Sequence, residues 1–230
     1  MKLHRFIGGF DFTNKFIKIS DQELLNQLRN VLRLKIGETI ILNNGADNDA
    51  LAIIRDSNKE FIEIEILEIN KNQNEPQKEA RLFCSILKKE NFELVVQKAT
   101  EVGVKQITPI ICKRTIKLNL REDRLEKIIK EAAEQSSRGI IPILKATINF
   151  ENAVKDLNNN GILFDKSGER FNPLNLTSKI QNIFIGPEGG WDTSELELAR
   201  SLKFKIVSLS SLTFRAETAA IVASYLSTID

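Results

Sequence analysis

The chain has 230 residues, 42% of them apolar and 28% charged, with a formal net charge of +2. That composition belongs to a globular chain able to bury a real core, in one large domain or two modest ones. It argues against a membrane span, because no apolar run approaches roughly 18 residues. It also argues against a disulfide framework or metal centre, with two cysteines and one histidine present.

The opening Met1-Lys-Leu-His-Arg-Phe6 lacks the apolar core of a signal peptide, which points to a cytoplasmic location. Residues 1 to about 70 read mostly as strands. Asp21 can cap one helix, whose apolar stripe is Leu24, Leu25, Leu28, Val31 and Leu32. Residues 39–42 and 51–54 are rich in β-formers, and Asn43-Asn-Gly45 supplies a turn between them. Phe61-Ile-Glu-Ile-Glu-Ile-Leu67 alternates apolar and polar side chains, the pattern of a half-buried strand. Short strands with one helix predict a small β-barrel-like module over 1–70. The stretch Asn70 to Glu79 holds no large apolar residue and one proline, so 71–80 reads as a linker.

From 81 to 230 the period changes. Apolar runs at 82–87, 107–111, 162–164, 183–185 and 206–209 read as strands buried on both faces. Helical faces lie between most of them. Phe92, Val95, Val96 and Ala99 share one; Leu125, Ile128, Ile129, Ala132 and Ala133 another; Ala219, Val222, Ala223 and Leu226 a third. Strands alternating with helices predict an α/β fold, a parallel sheet covered on both sides. Gly103 reads as a helix C-cap, Asn158-Asn-Asn160 as a polar loop, and Cys84 and Cys112 as buried free thiols. The segment from Lys113 to Lys145 carries a basic excess, which suits a phosphate backbone or a solvated helix face equally.

Two strand-to-helix turns hold the chemistry. Phe184-Ile-Gly-Pro-Glu-Gly-Gly-Trp191 ends an apolar run in three glycines and a carboxylate, and Asp192 with Glu195 then reads as a capping box. Ile206-Val-Ser-Leu209 leads through a short polar loop to Arg215-Ala-Glu-Thr-Ala219. Turns of this kind at strand carboxyl ends are where open α/β sheets bind ligands. No Lys-Ser or Lys-Thr follows the glycines and their spacing misses G-x-G-x-x-G, which excludes the two common phosphate-binding patterns. Arg215 and Glu217 suit a first helical turn on structural grounds as well. Glu131-Ala-Ala-Glu-Gln-Ser-Ser-Arg138, with Pro142 beyond, reads as a helix terminus before a loop.

Taken in order, six segments resemble the SPOUT-class RNA methyltransferases. The likeness is closest to the bacterial small-subunit ribosomal RNA family that methylates a uridine on ring nitrogen N3. They are His4-Arg-Phe6, Val31-Leu-Arg-Leu-Lys-Ile-Gly-Glu38, Gln97 to Val104, Glu131 to Arg138 with Pro142, Ile185 to Gly190, and Phe214 to Ala219. The resemblance implies an RNA-binding PUA-like β-barrel over 1–70 and a SPOUT methyltransferase domain over 81–230. A C-terminal trefoil knot comes with it, although threaded chains are so rare that periodicity would never suggest one. It further implies a homodimer that binds S-adenosylmethionine, needs no metal and acts on 16S ribosomal RNA of the small subunit. Cofactor contacts carry over to Leu163, Phe164, Ile185, Gly186, Glu188, Gly189, Gly190, Leu209, Ser210, Leu212 and Phe214.

Arg215 would then stabilise negative charge on the carbonyl oxygens flanking N3, while Glu217 would take the proton or orient Arg215. Arg5, Arg33, Arg114 and Arg138 are candidate phosphate contacts. The chain departs from the family at Ser210, where a glycine is usual, and at Leu212, where an arginine is usual. A φ above zero at Ser210 would be strained. The alternatives are a related knotted methyltransferase acting on transfer RNA or 23S ribosomal RNA, and an RNA-binding assembly factor that has lost catalysis.

Overall fold

The computed structural model describes residues 3–116, 119–155, 157 and 160–229. The expected loop at Asn158 and Asn159 lies outside them. The chain divides into two compact units, Met1–Glu75 with Ala133–Ile141, and Pro76–Ala132 with Pro142–Asp230. The end of the third helix and the loop after it therefore group with the first unit.

In the first unit five strands form one sheet: β1 (Arg5–Ile7), β2 (Phe16–Ile19), β3 (Thr39–Asn43), β4 (Asn48–Ser57) and β5 (Ile62–Lys71). Their order is β1-β3-β4-β5-β2, antiparallel except for the parallel β1–β3 pair. Ile40, Leu42, Ala50, Ala52, Ile54, Ile62 and Ile64 point to one face and make the core with Leu24, Leu25 and Leu28. The helix α1 (Gln22–Asn26) starts as expected, with the Asp21 side chain accepting from the Leu24 amide, but it then opens into a π-helical turn at Gln27–Val31. That wider turn rotates Val31 out of the apolar stripe, and it is 67% exposed.

A buried polar network joins Ala133–Ile141 to this unit. Arg138 is 3% exposed and pairs through two nitrogens with the Glu75 carboxylate, which also accepts from the amides of Gly139 and Ile140. Arg5 pairs with Asp49 and donates to the Arg138 carbonyl, while Asn43 and Asn72 donate to the same Asp49.

The second unit holds β6 (Glu79–Ser85), α2 (Lys89–Glu101), β7 (Gln106–Ile111), α3 (Glu122–Gln135), β8 (Ile143–Leu144), β9 (Ile148–Asn149), α4 (Phe150–Lys155), β10 (Ile162–Arg170), β11 (Ile180–Ile185), α5 (Thr193–Ser201), β12 (Lys205–Ser208) and α6 (Ala216–Thr228). The sheet runs β12-β10-β11-β6-β7-β8, with β9 also on β7, and every pairing is parallel. Helices α2 and α6 pack together, α6 lying against β6 and β11. On the other face Phe83, Leu163 and Phe184 meet Phe150, Trp191 and Phe204, with the Phe83 and Phe184 rings stacked at 4.5 Å. The sequence expectation fails for β12, which is half-exposed rather than buried on both faces.

One strand pair is unusual. Val207 of β12 pairs with Phe164 and also with Glu169, both of β10 and both in parallel. A strand residue has only two edges, so β12 lies between two stretches of β10, and residues 165–168 cross over it. Gly168 makes the crossing: a Cβ there would sit 2.5 Å from the carbonyl of Ile206 and the amide nitrogen of Val207. Only a bare backbone passes at that distance.

Candidate functional site

The carboxyl ends of β10, β11 and β12 open onto a cavity of about 1040 Å³ within the second unit. Three loops line it: 164–167 after the first half of β10, 185–191 after β11, and 208–217 after β12. Trp191 closes the floor, its indole nitrogen donating to the Phe164 carbonyl at 3.0 Å. Gly186 lies against that indole, where a Cβ would come within 2.9 Å of the ring, and Gly190 adopts a φ of 71° to bring the chain round. The glycines thus let main-chain amides and carbonyls face the cavity directly.

The following helix is fixed by the expected capping box. Asp192 accepts from Ser194, and the Glu195 carboxylate accepts from the Asp192 amide at 2.8 Å. Glu195 also accepts from the Lys113 amide at 2.8 Å, tying the loop after β7 to the start of α5. Arg114 is thereby set at the cavity, donating to the Gly189 carbonyl at 3.0 Å. On the far side of the turn, Glu188 accepts from the Lys88 amide.

Of the residues expected around the donor, Phe164, Ile185, Gly186, Glu188, Gly189, Gly190, Leu209, Ser210, Leu212 and Phe214 line the cavity. Leu163 does not; it is 0% exposed and belongs to the aromatic core, because its side chain points away from the strand end. Ser210 is not among the described non-glycine residues with positive φ, so replacing the usual glycine brings no backbone strain there. Its hydroxyl accepts from the Leu212 amide. Leu212 is 72% exposed.

Arg215 and Glu217 both line the cavity, at the start of α6. Of the four candidate RNA contacts, Arg114 lines the cavity and Arg33 is exposed, with a left-handed φ of 55°. Arg138 and Arg5 are committed to buried carboxylates of the first unit, which leaves neither guanidinium free for a phosphate. Sequence reading missed Trp191, Lys88 and Asn91 as lining residues. Trp191 was adjacent to the glycine turn, and its neighbourhood was the available signal.

Both cysteines are buried free thiols. Burial, aided by the Glu195 charge, pushes Cys112 up to about 12, and burial raises Cys84 beyond the ordinary thiol range. Neither is a nucleophile. Among the described residues no group of three or more His, Cys, Asp or Glu is placed to hold a metal ion, and no helix is long and apolar enough to cross a membrane.

Residues 73–227 match the RNA methyltransferase domain family, and residues 26–67 match the RNA methyltransferase PUA domain family. A Rickettsia conorii (strain ATCC VR-613 / Malish 7) protein named ribosomal RNA small subunit methyltransferase E is 34% identical, over 97% of this chain and 94% of its own. The chain belongs to that methyltransferase family. A Mesomycoplasma hyopneumoniae (strain 232) methyltransferase of the same name is 35% identical, over 74% of this chain and 76% of its own. The fold agrees: a Neisseria gonorrhoeae ribosomal RNA small subunit methyltransferase E, crystallised bound to S-adenosyl methionine, superimposes with a TM-score of 0.90 at 27% identity. That match covers 97% of this methyltransferase and 95% of the other chain. The first unit is accordingly PUA-like and the second a SPOUT-type α/β domain.

Proposed function

We propose that this enzyme transfers a methyl group from S-adenosylmethionine to ring nitrogen N3 of a uridine in 16S ribosomal RNA of the small subunit. One observation carries the reading. The 1040 Å³ cavity is walled by bare backbone from three strand ends, and it holds Arg215 and Glu217 at its edge. The fit to an adenosyl donor is good. The Gly186–Trp191 wall leaves main-chain hydrogen-bonding groups where a purine edge needs them, Ile185, Leu209 and Phe214 offer apolar cover, and the volume leaves space for a second, flat ring.

When bound, the donor supplies a sulfonium-activated methyl group, so the protein's task is chiefly to align an acceptor nitrogen with it. N3 of uridine is engaged in pairing within a duplex, so the base must be presented unpaired. In this reading Arg215 faces charge developing on the base, and Glu217 either takes the N3 proton or orients Arg215. Arg33 and Arg114 contact phosphates, which position the RNA without reading its sequence. The first unit supplies RNA binding, two copies of the chain form the working enzyme, and the cytoplasm is the compartment in which it would meet its substrate.

The test incubates the purified chain with methyl-labelled cofactor and isolated ribosomal subunits, then maps the label by mass spectrometry. Label at N3 of a single small-subunit uridine is the expected result. Label confined to transfer RNA or to the large subunit would overturn the substrate, and no bound cofactor by calorimetry would overturn the activity itself.

A further inference from the structure

The structure assigns distinct jobs to the two halves of the Arg215–Glu217 pair: we infer that Glu217 is the proton acceptor, and that the amino end of α6 with Arg215 is the oxyanion-binding element beside it. This rests on the methyl-transfer reading and goes further, because it fixes which chemical edge of a pyrimidine the cavity accepts.

Three observations carry it. Glu217 is 8% exposed, and its Oε2 is buried without a hydrogen-bond partner. A carboxylate oxygen stripped of water and left unpaired is costly, so this position is kept for a donor that arrives with the ligand. Second, among the described residues no hydrogen bond or ion pair joins Glu217 to Arg215, whose own side chain is exposed. An orienting role would have no bond to act through. Third, α6 is 13 residues long and starts at Arg215 without a side-chain cap. The amides of Ala216, Glu217 and Thr218 therefore lack intrahelical partners, and Arg215, Ala216 and Glu217 all line the cavity. The positive end of the helix dipole lies at the same point.

An acceptor oxygen next to a set of amide and guanidinium donors complements an imide edge, in which one N–H is flanked by two carbonyls. Uracil presents that edge at O2, N3 and O4. Glu217 Oε2 takes the central proton while Arg215 and the first-turn amides of α6 meet charge gathering on a flanking oxygen. The balance is complete: the N3–H bond breaks and its proton goes to Glu217; the N3–CH₃ bond forms as the CH₃–S bond breaks, its electron pair staying on sulfur. Cytosine has no proton at N3, and its lone pair would face the carboxylate, so the same arrangement rejects it.

The test compares wild type with Glu217→Gln and Glu217→Asp in single-turnover methylation of small ribosomal subunits across pH. S-adenosylhomocysteine affinity by calorimetry and melting temperature are measured alongside. For Glu217→Gln the expected result is product binding within about threefold of wild type and a rate lower by roughly 10²–10⁴. The residual rate should climb steadily through the alkaline range, because the N3 proton must then leave to solvent. Glu217→Asp should recover part of the rate and the wild-type pH profile. Wild-type turnover in Glu217→Gln overturns the inference. So does a loss whose pH profile is unchanged and which tracks a fall in melting temperature, the signature of a carboxylate that merely complements the helix dipole. If wild type leaves the subunits unmodified, the substrate reading fails instead. The inference is then judged on binding: with S-adenosylhomocysteine present, wild type should hold a uridine oligonucleotide more tightly than its N3-methylated counterpart, and Glu217→Gln should lose that preference. Equal binding by wild type would sink it.

Discussion

Arg138 shows how far a side chain's role depends on a partner distant in sequence. From sequence it is one basic residue in a basic stretch at a helix end; in the fold it is sealed against Glu75, 63 positions earlier. Burial would raise the Glu75 carboxyl, but hydrogen bonding and charge from Arg138, with the amides of Ile140 and Gly139, outweigh it and hold the group below its usual range. A depressed folded-state value means the pair stabilises the fold above the ordinary glutamate value of 4.5 and loses that contribution as pH falls from there. Arg138→Ala strands a buried carboxylate, and about 3–5 kcal/mol of stability should go with it in denaturant unfolding at neutral pH. Glu75→Gln should cost less and flatten the decline of stability on acidification. Loss of RNA binding from Arg138→Ala with unchanged stability would contradict this assignment. Arg5 was misread for the same reason, since nothing local to it announces Asp49.

Elements whose logic is local were legible, and those built from distant strands were not. The Asp192–Glu195 capping box, the turn at Gly45, the Asp21 cap and the α2 terminus at Gly103 each need only a few consecutive residues, and each forms as read. The π-helical turn that turns Val31 outward leaves no mark in apolar spacing. Most of the cavity wall was legible too, through glycines and proline at a strand end, whereas Leu163 was misplaced by a single step of strand alternation. At this scale the glycine turn yields a sharp expectation. Gly186→Ala forces a methyl group against the Trp191 indole at 2.9 Å, so the floor of the cavity must shift. Binding of S-adenosylmethionine should weaken by ~10-fold or more, about 1.4 kcal/mol, while melting temperature changes little; calorimetry beside thermal unfolding separates the two. Unaltered affinity would mean that this wall does not face the ligand.

At the scale of the whole molecule, a net charge of +2 gives no strong long-range pull on nucleic acid, so attraction must come from a few placed cations. Arg33, exposed and held at a left-handed φ, is one. Arg33→Ala should weaken RNA binding uniformly across sequences and lower the slope of log affinity against log salt by about 1; an unchanged slope would remove Arg33 from the contact set. The crossing at Gly168 acts on the largest scale. Because the last strand is held between two stretches of an earlier one, the donor-binding pocket has no intermediate version in which two of its three walls already stand. A nascent chain leaving the ribosome stays unable to bind its cofactor until residues near the C-terminus have been synthesised and seated. The tail of the polypeptide therefore decides when the enzyme comes into existence, and shortening it would remove the catalyst while leaving most of the sheet intact.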